Sequence, residues 1–313
     1  MYIGIDIGGT NIKFGLVDQT GKIYQNDAIP TKRDQAEILA QLISIVERYR
    51  EQGVAIQGIG ISCPGVVQKN GYLVTAGAIK SLFGVNLKEV MEAATGIHTE
   101  IENDANSAAI AEKWIGAAQE CTNYVSLVLG TGVGGGIVIN DAVYRGANGL
   151  AGEFGWMMID SVKNLENIET VSINQRAAVV GGLIHQYNLA NAKNQEAPLT
   201  DARDIFQREA AGEALAKEVI AQFITDLTVG LINIAGTFDP EKIVIGGAIS
   251  ENEAFFERVI NMYNDLIQRH PSIEYFQALN LFPKIEKSPL NNSAGFVGAV
   301  FQVHQRIGVN DKL

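Results

Sequence analysis

Short apolar runs joined by glycine-rich turns recur along the chain and predict β-hairpins. The first run covers residues 2–7 and is followed, after Gly8-Gly9-Thr10, by a second run over 12–17. The arrangement returns at 124–129 and 137–139, on either side of the glycine turn 130–136. Two apolar runs separated by a short turn are typical of paired strands, so each stretch predicts strand, turn, strand.

Elsewhere the apolar residues recur at helical spacing. They predict helices over 34–52, 87–95, 105–115, 253–269 and 293–307, with one or two long helices in 207–237. Strands are predicted at 55–62, 97–102 and 243–245, the last running into the glycine turn Gly246-Gly247. Alternating strands and helices predict an α/β chain, and the two hairpin openings predict two related α/β domains that meet near residue 117.

Composition narrows the class of protein. A chain of 313 residues with 47% hydrophobic residues is long enough for two domains. Its net charge of −11 argues against nucleic acid or an anionic membrane as the main partner. No uninterrupted apolar stretch approaches the roughly 20 residues of a spanning helix, and no charged leader precedes the first strand, so a cytoplasmic protein is expected. Cys63 and Cys121 lack the spacing of metal ligands or of a disulfide framework.

The glycine turns are the strongest indication of function. Glycine leaves backbone N–H groups uncovered, so such a turn can surround a phosphate. Asp6 and Thr10 flank the first turn and Thr131 lies in the second, which offers more polar groups than a plain hairpin turn needs. The alternative is that the glycines only form tight turns. A dinucleotide-binding motif is disfavoured because a strand, not a helix, follows the second turn, and no P-loop motif occurs.

Polar residues gather at two further places. In 102–106, Asp104 stands where a strand ends and a helix begins, and the helix dipole favours an ionised carboxylate that can accept a proton. The alternative is that Asp104 only caps the helix. In 145–156, glycines surround Glu153 and Trp156, a combination that suits a sugar site. The alternative is a surface loop with an ordinary core tryptophan.

Four motifs together resemble the ROK family of repressors, open reading frames and sugar kinases. They lie at 5–10, 102–106, 130–136 and 152–155, in the family's order. The resemblance implies an actin-like ATPase (ribonuclease H-like) fold with two α/β domains around a cleft. A small domain, 1–117, would be completed by the C-terminal helix 293–313, and 118–292 would form the large domain. Family repressors carry a helix-turn-helix domain before the first Asp-x-Gly-Gly-Thr, which begins here at residue 6, so none is expected.

The resemblance also implies in-line phosphoryl transfer from Mg-ATP to a sugar hydroxyl, most often on C6, with Asp104 as catalytic base. The expected sugar-binding residues are Gly65, Asn103, Asp104, Glu153, Trp156 and Glu169. The expected ATP-binding residues are Asp6, Gly8, Gly9, Thr10, Lys13, Gly130, Thr131, Gly132, Gly134, Gly246 and Gly247. Asp6 is also expected to face Mg2+ through ATP. A homodimer is the oligomeric state that the resemblance implies.

One segment departs from the family pattern. Many members have a histidine at the position of Trp156 and then several cysteines, which together bind zinc. The stretch 157–171 contains neither cysteine nor histidine, so no zinc site is predicted and Glu169 is matched less securely. Members without zinc and with an aromatic residue there resemble β-glucoside kinases. N-acetylmannosamine kinase, glucokinase and fructokinase remain alternatives, as does a catalytically inactive sugar-binding regulator.

Overall fold

The computed structural model describes residues 1–163, 165–194, 197–290 and 293–310. The chain divides into two compact units: Met1–Glu120, Gly136–Ala151 and Asn292–Leu313 form the first, and Cys121–Gly135 and Gly152–Asn291 form the second. Residues 136–151, which the sequence-based division assigns to the large domain, therefore group with the first unit. The domain limit near 117 stays a prediction. The limit at 292 and the end of helix 293–313 lie outside the described residues.

The strands in chain order are β1 (Tyr2–Ile7), β2 (Asn11–Val17), β3 (Ile23–Pro30), β4 (Gly58–Cys63), β5 (Thr99–Asn103), β6 (Tyr124–Leu129), β7 (Val133–Ile139), β8 (Ala142–Val143), β9 (Lys242–Gly246) and β10 (Lys284–Lys287). The helices are α1 (Gln35–Glu51), α2 (Leu87–Thr95), α3 (Asp104–Trp114), α4 (Ile173–Arg176), α5 (His185–Asn191), α6 (Ala202–Ala210), α7 (Ala214–Phe238), α8 (Glu253–Gln268), α9 (Glu274–Ala278) and α10 (Ala294–Asn310). The α/β class predicted from the sequence is confirmed.

A five-stranded sheet with the order β3-β2-β1-β4-β5 is the centre of the first unit. β1 and β2 pair antiparallel, which confirms the hairpin predicted around Gly8-Gly9-Thr10. β4 pairs parallel with both β1 and β5, so these three strands end at the same edge of the sheet. The sequence did not predict β3, because most of its residues are exposed and it lacks an apolar pattern.

Helices cover this sheet closely. Asp34 caps α1 by accepting hydrogen bonds from the amides of Ala36 and Glu37, and α1 turns its apolar stripe to the core. The C-terminal helix α10 packs on β4, where a Cβ at Gly60 would lie 2.3 Å from the carbonyl of Ala299. Only glycine allows helix and strand to approach so closely at this point.

The second sheet has the order β10-β9-β6-β7-β8. β9 pairs parallel with β6 and with β10. β7 begins at Val133, earlier than the predicted strand at 137–139, and the stretch Gly136–Ala151 belongs to the first unit. The predicted turn 130–136 was therefore too long: residues 133–136, including Gly134, lie in the strand.

Two helices, α6 and α7, fill the block predicted as one or two helices. Gly212, with a φ of +91°, stands between them. Of the helices in the described ranges, α7 alone is long and apolar enough to meet a test for a membrane span based on length and composition. It carries the buried Asp226, which accepts a hydrogen bond from Arg176 at 2.8 Å. We assign α7 to the core of the second unit, since 56% of its apolar window is buried there.

Candidate active site

Polar residues of the first unit meet at the carboxyl-terminal edge of β1, β4 and β5. In the strand register, Asp6 lies opposite Ser62 and Cys63 lies opposite Asn103. The Ser62 hydroxyl donates a hydrogen bond of 2.8 Å to Asp6 Oδ1. Burial raises the pKa of the Cys63 thiol, and the negative charges of Asp104 and Asp6 add to this rise. The predicted residues Asp6 and Asp104 are therefore brought together at one edge.

Asp6 is a carboxyl group in a poorly solvated position. Burial raises its pKa, and the Ser62 hydrogen bond and the positive charge of Lys13 oppose that rise. Lys13 stands directly across from Asp6 in the β1–β2 register. A Cβ at Gly295, in α10, would lie 2.8 Å from the Asp6 carboxyl group, so a glycine is needed there. The sequence analysis missed Gly295, since nothing local sets it apart from other helix glycines.

The start of α3 determines the orientation of Asp104. Asn103, and not Asp104, caps the helix, because its Oδ1 accepts a hydrogen bond from the Asn106 amide at 3.0 Å. Asn103 Nδ2 also donates to the Gly65 carbonyl at 2.8 Å and to Asp104 Oδ1 at 3.0 Å. Gly65, Asn103 and Asp104 are therefore in contact, and Asp104 is exposed at the first helical position. The capping alternative for Asp104 is wrong.

The first glycine turn has its carbonyl groups bound within the unit. The Thr31 hydroxyl donates to the Gly8 carbonyl at 2.6 Å, and the Thr31 amide donates to the Thr10 carbonyl at 2.9 Å. Within the described ranges, the amides of Gly9 and Thr10 have no hydrogen-bond acceptor. Thr31, which the sequence analysis missed, lies on the chain just after β3, an element that was itself not predicted.

The second glycine turn, in the second unit, is held in the same way. A π-helical turn over Val179–Ile184 supplies the donors. The Val179 amide donates to the Gly130 carbonyl at 3.0 Å, and the Gly181 amide donates to the Thr131 carbonyl at 3.3 Å. In the part of the chain that the structure describes, the amides of Thr131 and Gly132 find no acceptor.

Asn174, on α4, joins this turn to the Gly152-Glu153-Phe154-Gly155 motif. Its Oδ1 accepts a hydrogen bond of 2.8 Å from the Val133 amide. A Cβ at Gly155 would lie only 2.2 Å from the same oxygen, and one at Gly132 would lie 3.0 Å from it. Two motifs separated in sequence thus share one side chain. The sequence offered no signal for Asn174, since it follows no motif and its partners are distant along the chain.

Glu153 and Trp156 occupy the two ends of a short turn. Glu153 is half-buried, and burial raises the pKa of its carboxyl group. Trp156 is 58% exposed, so the alternative of a core tryptophan is wrong. Segment 157–159 runs beside 171–173, with hydrogen bonds from Ile173 to Met157 and from Ile159 to Val171. This pairing brings the turn that carries Glu169 beside the residues that follow Trp156, and the Glu169 side chain is exposed.

Gly246 and Gly247 lie at the end of β9, next to β6. Gly246 pairs with Val128 in the parallel register. Gly247 has a φ of +95°, and a Cβ there would lie 2.1 Å from the Leu129 carbonyl. The third glycine turn is therefore adjacent to the strand that leads into Gly130, and both turns lie in the second unit.

Within the described residues, no three His, Cys, Asp or Glu side chains are grouped so that they could hold a metal ion. A divalent cation would then take most of its ligands from phosphates and water, as Mg2+ commonly does. Asp6 fits such a cation, because Ser62 is the one hydrogen-bond donor to its carboxylate in the described chain.

Comparison with known proteins gives consistent results. The ROK family model matches residues 2–306. A β-glucoside kinase of Listeria innocua is 32% identical over 96% of this chain and 96% of its own length. An N-acetyl-D-glucosamine kinase of Vibrio parahaemolyticus is 30% identical over 96% of this chain and 99% of its own.

Solved structures agree with the fold. A ROK family protein of Streptococcus pneumoniae in complex with sucrose has a TM-score of 0.83 and 29% identity, covering 98% of this chain and 99% of the other. A ROK family glucokinase of Streptomyces griseus, solved with glucose and AMPPNP, has a TM-score of 0.78 and 26% identity, covering 97% of this chain and 99% of the other. The actin-like ATPase fold expected from the motifs is thereby confirmed.

Proposed function

This chain belongs to the ROK family, and we propose that it transfers the γ-phosphoryl group of ATP to the C6 hydroxyl of a hexose or β-glucoside. Its class is that of an ATP-dependent carbohydrate kinase, as in the relatives that match 96% of its length. The proposal rests on a feature that both units have. Each holds a glycine turn whose carbonyls are bound by protein donors while two amides stay available to an anion.

Phosphate binding is assigned to these two turns. The amides of Gly9 and Thr10 in one unit and of Thr131 and Gly132 in the other supply neutral donors for phosphate oxygens. Gly246 and Gly247 are proposed to lie beside the adenosine portion of ATP. Gly8, Lys13, Gly130 and Gly134 complete the proposed ATP-binding set.

Asp6 is assigned to Mg2+ that arrives with ATP. Mg2+ would neutralise charge on the phosphate oxygens during transfer. Asp6 suits this role because its carboxylate is poorly solvated, and a cation nearby would favour its ionised form.

Asp104 is the proposed general base. Its carboxylate is exposed at the start of α3 and hydrogen-bonded to Asn103, so it can accept the proton of a sugar hydroxyl from a defined position. Gly65, Asn103, Glu153 and Glu169 are proposed to bind the sugar, and the raised pKa of Glu153 suits a carboxylate that gains hydroxyl donors on binding.

Replacing Asp104 with Asn keeps the size of the side chain but removes the proton acceptor. We expect kcat to fall by roughly 100-fold or more with little change in sugar affinity. Steady-state kinetics and a sugar-binding titration measure the two quantities separately. Near-normal turnover in Asp104→Asn would exclude Asp104 as the base.

The acceptor is proposed to be a β-glucoside, because the exposed indole of Trp156 can pack against a second ring. An ATP-coupled assay with glucose, fructose, N-acetylmannosamine, N-acetylglucosamine, cellobiose and gentiobiose identifies it, and NMR of the product locates the phosphate. Preference for a free monosaccharide would favour glucokinase, fructokinase or an N-acetylhexosamine kinase. Binding of a sugar without turnover on any of them would favour an inactive regulator.

A cytoplasmic homodimer is proposed as the working form. ATP as donor and two buried free cysteines agree with a reducing compartment. Light scattering of the purified protein tests the dimer.

A further inference from the structure

A buried carboxylate next to the candidate base has no role in the proposed chemistry. Glu102 lies on β5, directly before Asn103, and is 4% exposed. Its Oε1 accepts hydrogen bonds from the Asn103 amide at 3.0 Å and from Asn106 Nδ2 at 3.2 Å. Its Oε2 accepts hydrogen bonds from Arg145 Nη2 and Gln302 Nε2.

These four donors satisfy Glu102 completely. A carboxylate offers about four acceptor positions, and each oxygen here has two partners. A buried charge is tolerated when it is paired and hydrogen-bonded, and Arg145 supplies the opposite charge. Both carboxylate oxygens of Glu102 are thus occupied by protein donors, without a free position for substrate.

The donors come from separate parts of the first unit. Asn106 lies on α3, Gln302 on the C-terminal helix α10, and Arg145 on the segment after β8. Asn103 joins β5 to α3. A single carboxylate therefore connects the end of β5 to two helices and to Arg145, which lies 43 residues further along the chain.

Glu102 is bonded to Asn103, a proposed sugar-binding residue, which in turn contacts Asp104, the proposed base. The Asn103 amide is fixed by Glu102, and the Asn103 side chain is bonded to Gly65, Asn106 and Asp104. A change at Glu102 is transmitted to Asp104 through one residue.

We propose that Glu102, neutralised by Arg145, is a positioning residue that orients Asn103 and Asp104 for transfer to the sugar. The inference rests on the proposed role of Asp104 as base. Glu102 itself does not touch the reacting atoms. Replacing Glu102 should lower kcat. It should leave ATP binding unchanged, because ATP binding is assigned to the glycine turns.

The central test is Glu102→Gln. The amide oxygen can still accept hydrogen bonds from Asn103 and Asn106, but the amide nitrogen now faces two donors, Arg145 and Gln302. We expect kcat for the best acceptor of the sugar panel to fall roughly 10- to 100-fold, with KM for ATP within about twofold of the parent value. Arg145→Lys, which keeps the charge, should retain more turnover than Arg145→Met.

Glu100→Gln is the matched control. Glu100 lies two residues earlier on β5, is 8% exposed and pairs with Lys88 at 2.9 Å. Thermal unfolding should show that both glutamine variants lose stability, and only Glu102→Gln should lose turnover. The double variant Glu102→Gln/Arg145→Gln, which removes both charges, should regain stability and remain slow.

The outcomes separate the two proposals. Normal kcat in folded Glu102→Gln or in the double variant, with Asp104→Asn inactive, overturns the positioning role and leaves the base in place. Equal loss of kcat in Glu100→Gln also overturns it, since any damage to β5 would then suffice. Normal turnover in Asp104→Asn overturns the base and, with it, the inference.

Discussion

At the scale of single residues, burial and hydrogen bonds shift the pKa values of the acidic groups. Asp6 and Asp18 are both aspartates beside β1 and β2, yet their pKa values shift in opposite directions. Burial raises the pKa of Asp6. Hydrogen bonds, first of all from the Thr20 side chain, lower that of the partly exposed Asp18 to about 2. The two carboxylates therefore affect the stability of the folded protein in opposite ways as the pH changes.

A raised carboxyl pKa makes the folded protein less stable as pH rises through it, because the folded state must then give up a proton that it holds more tightly. We expect Asp6→Asn to unfold at a higher temperature than the parent at about pH 7, and the difference to vanish toward about pH 4. The same variant should lose Mg-ATP-dependent turnover. Thermal melts across this range, without ligands, measure the effect.

Asp18→Asn provides the opposite case. The lowered pKa of Asp18 contributes stability that is complete above its ordinary value of 3.8 and is lost as pH falls toward about 2. The variant should therefore be less stable than the parent by a constant amount from about pH 5 to pH 8. If Asp6→Asn is also less stable than the parent by a constant amount from about pH 5 to pH 8, the raised pKa of Asp6 is contradicted.

Trp156 sets a second expectation at this scale. If its face packs on the second ring of a disaccharide, Trp156→Ala should lower kcat/KM for cellobiose several-fold more than for glucose, since stacking is worth about 1 kcal/mol. Tyr275, 66% exposed on α9, is a matched aromatic residue for the control Tyr275→Ala. Equal losses on both sugars would mean that Trp156 only fills space.

At the scale of elements, the glycine turns depend on neighbours that are distant in sequence. Thr31 holds the first turn from the end of β3. Asn174 and the π-helical turn hold the second. These contacts occupy the carbonyl groups of the turns, so the amides of Gly9, Thr10, Thr131 and Gly132 stay available to an anion.

Removing Asn174 tests this support. Asn174→Ala deprives the Val133 amide of its acceptor, a loss of about 1 kcal/mol, and should raise KM for ATP roughly 3- to 10-fold. Asn188→Ala is the control, because Asn188 bonds both the amide and the carbonyl of Leu199 at 2.8 Å in the same unit. If Asn188→Ala raises KM for ATP equally, the effect reports general loosening and not the turn.

At the scale of the whole molecule, the question is whether a metal is part of the structure. Residues 157–159, which begin the stretch where the family often carries zinc ligands, pair here with 171–173, and Arg176 lies 3.6 Å from Asp160. The stretch 157–171 contains no cysteine or histidine to offer a zinc ion.

Elemental analysis of the purified protein should accordingly show no stoichiometric zinc. Activity should survive a zinc chelator once magnesium is restored, because the cation in question arrives with ATP. Stoichiometric zinc that resists dialysis, or unfolding on chelation, would contradict this expectation. As a control, a known zinc enzyme treated in parallel should lose activity, which shows that the chelator removes zinc.

The sequence by itself determined the α/β class and the ROK family, and it located the motifs. β1 and β6 have the predicted bounds, and α1 and α8 begin and end within one residue of prediction, because apolar periodicity and caps are local signals. It missed β3, whose exposed polar residues carry no such signal, and it extended the second glycine turn into β7.

Tertiary structure alone decided which residues support the motifs. Gly295, Thr31 and Asn174 each contact a motif from more than 20 residues away, so no local pattern marks them. Arg145 lies in the polar stretch 145–156 that the sequence singled out, but its pairing with Glu102 was not predicted. The raised pKa of Asp6 and the four hydrogen-bond donors of Glu102 were likewise beyond the sequence, because folding alone supplies the burial and the donors. Local pattern identified the chemistry of this protein, and packing decided the geometry that supports it.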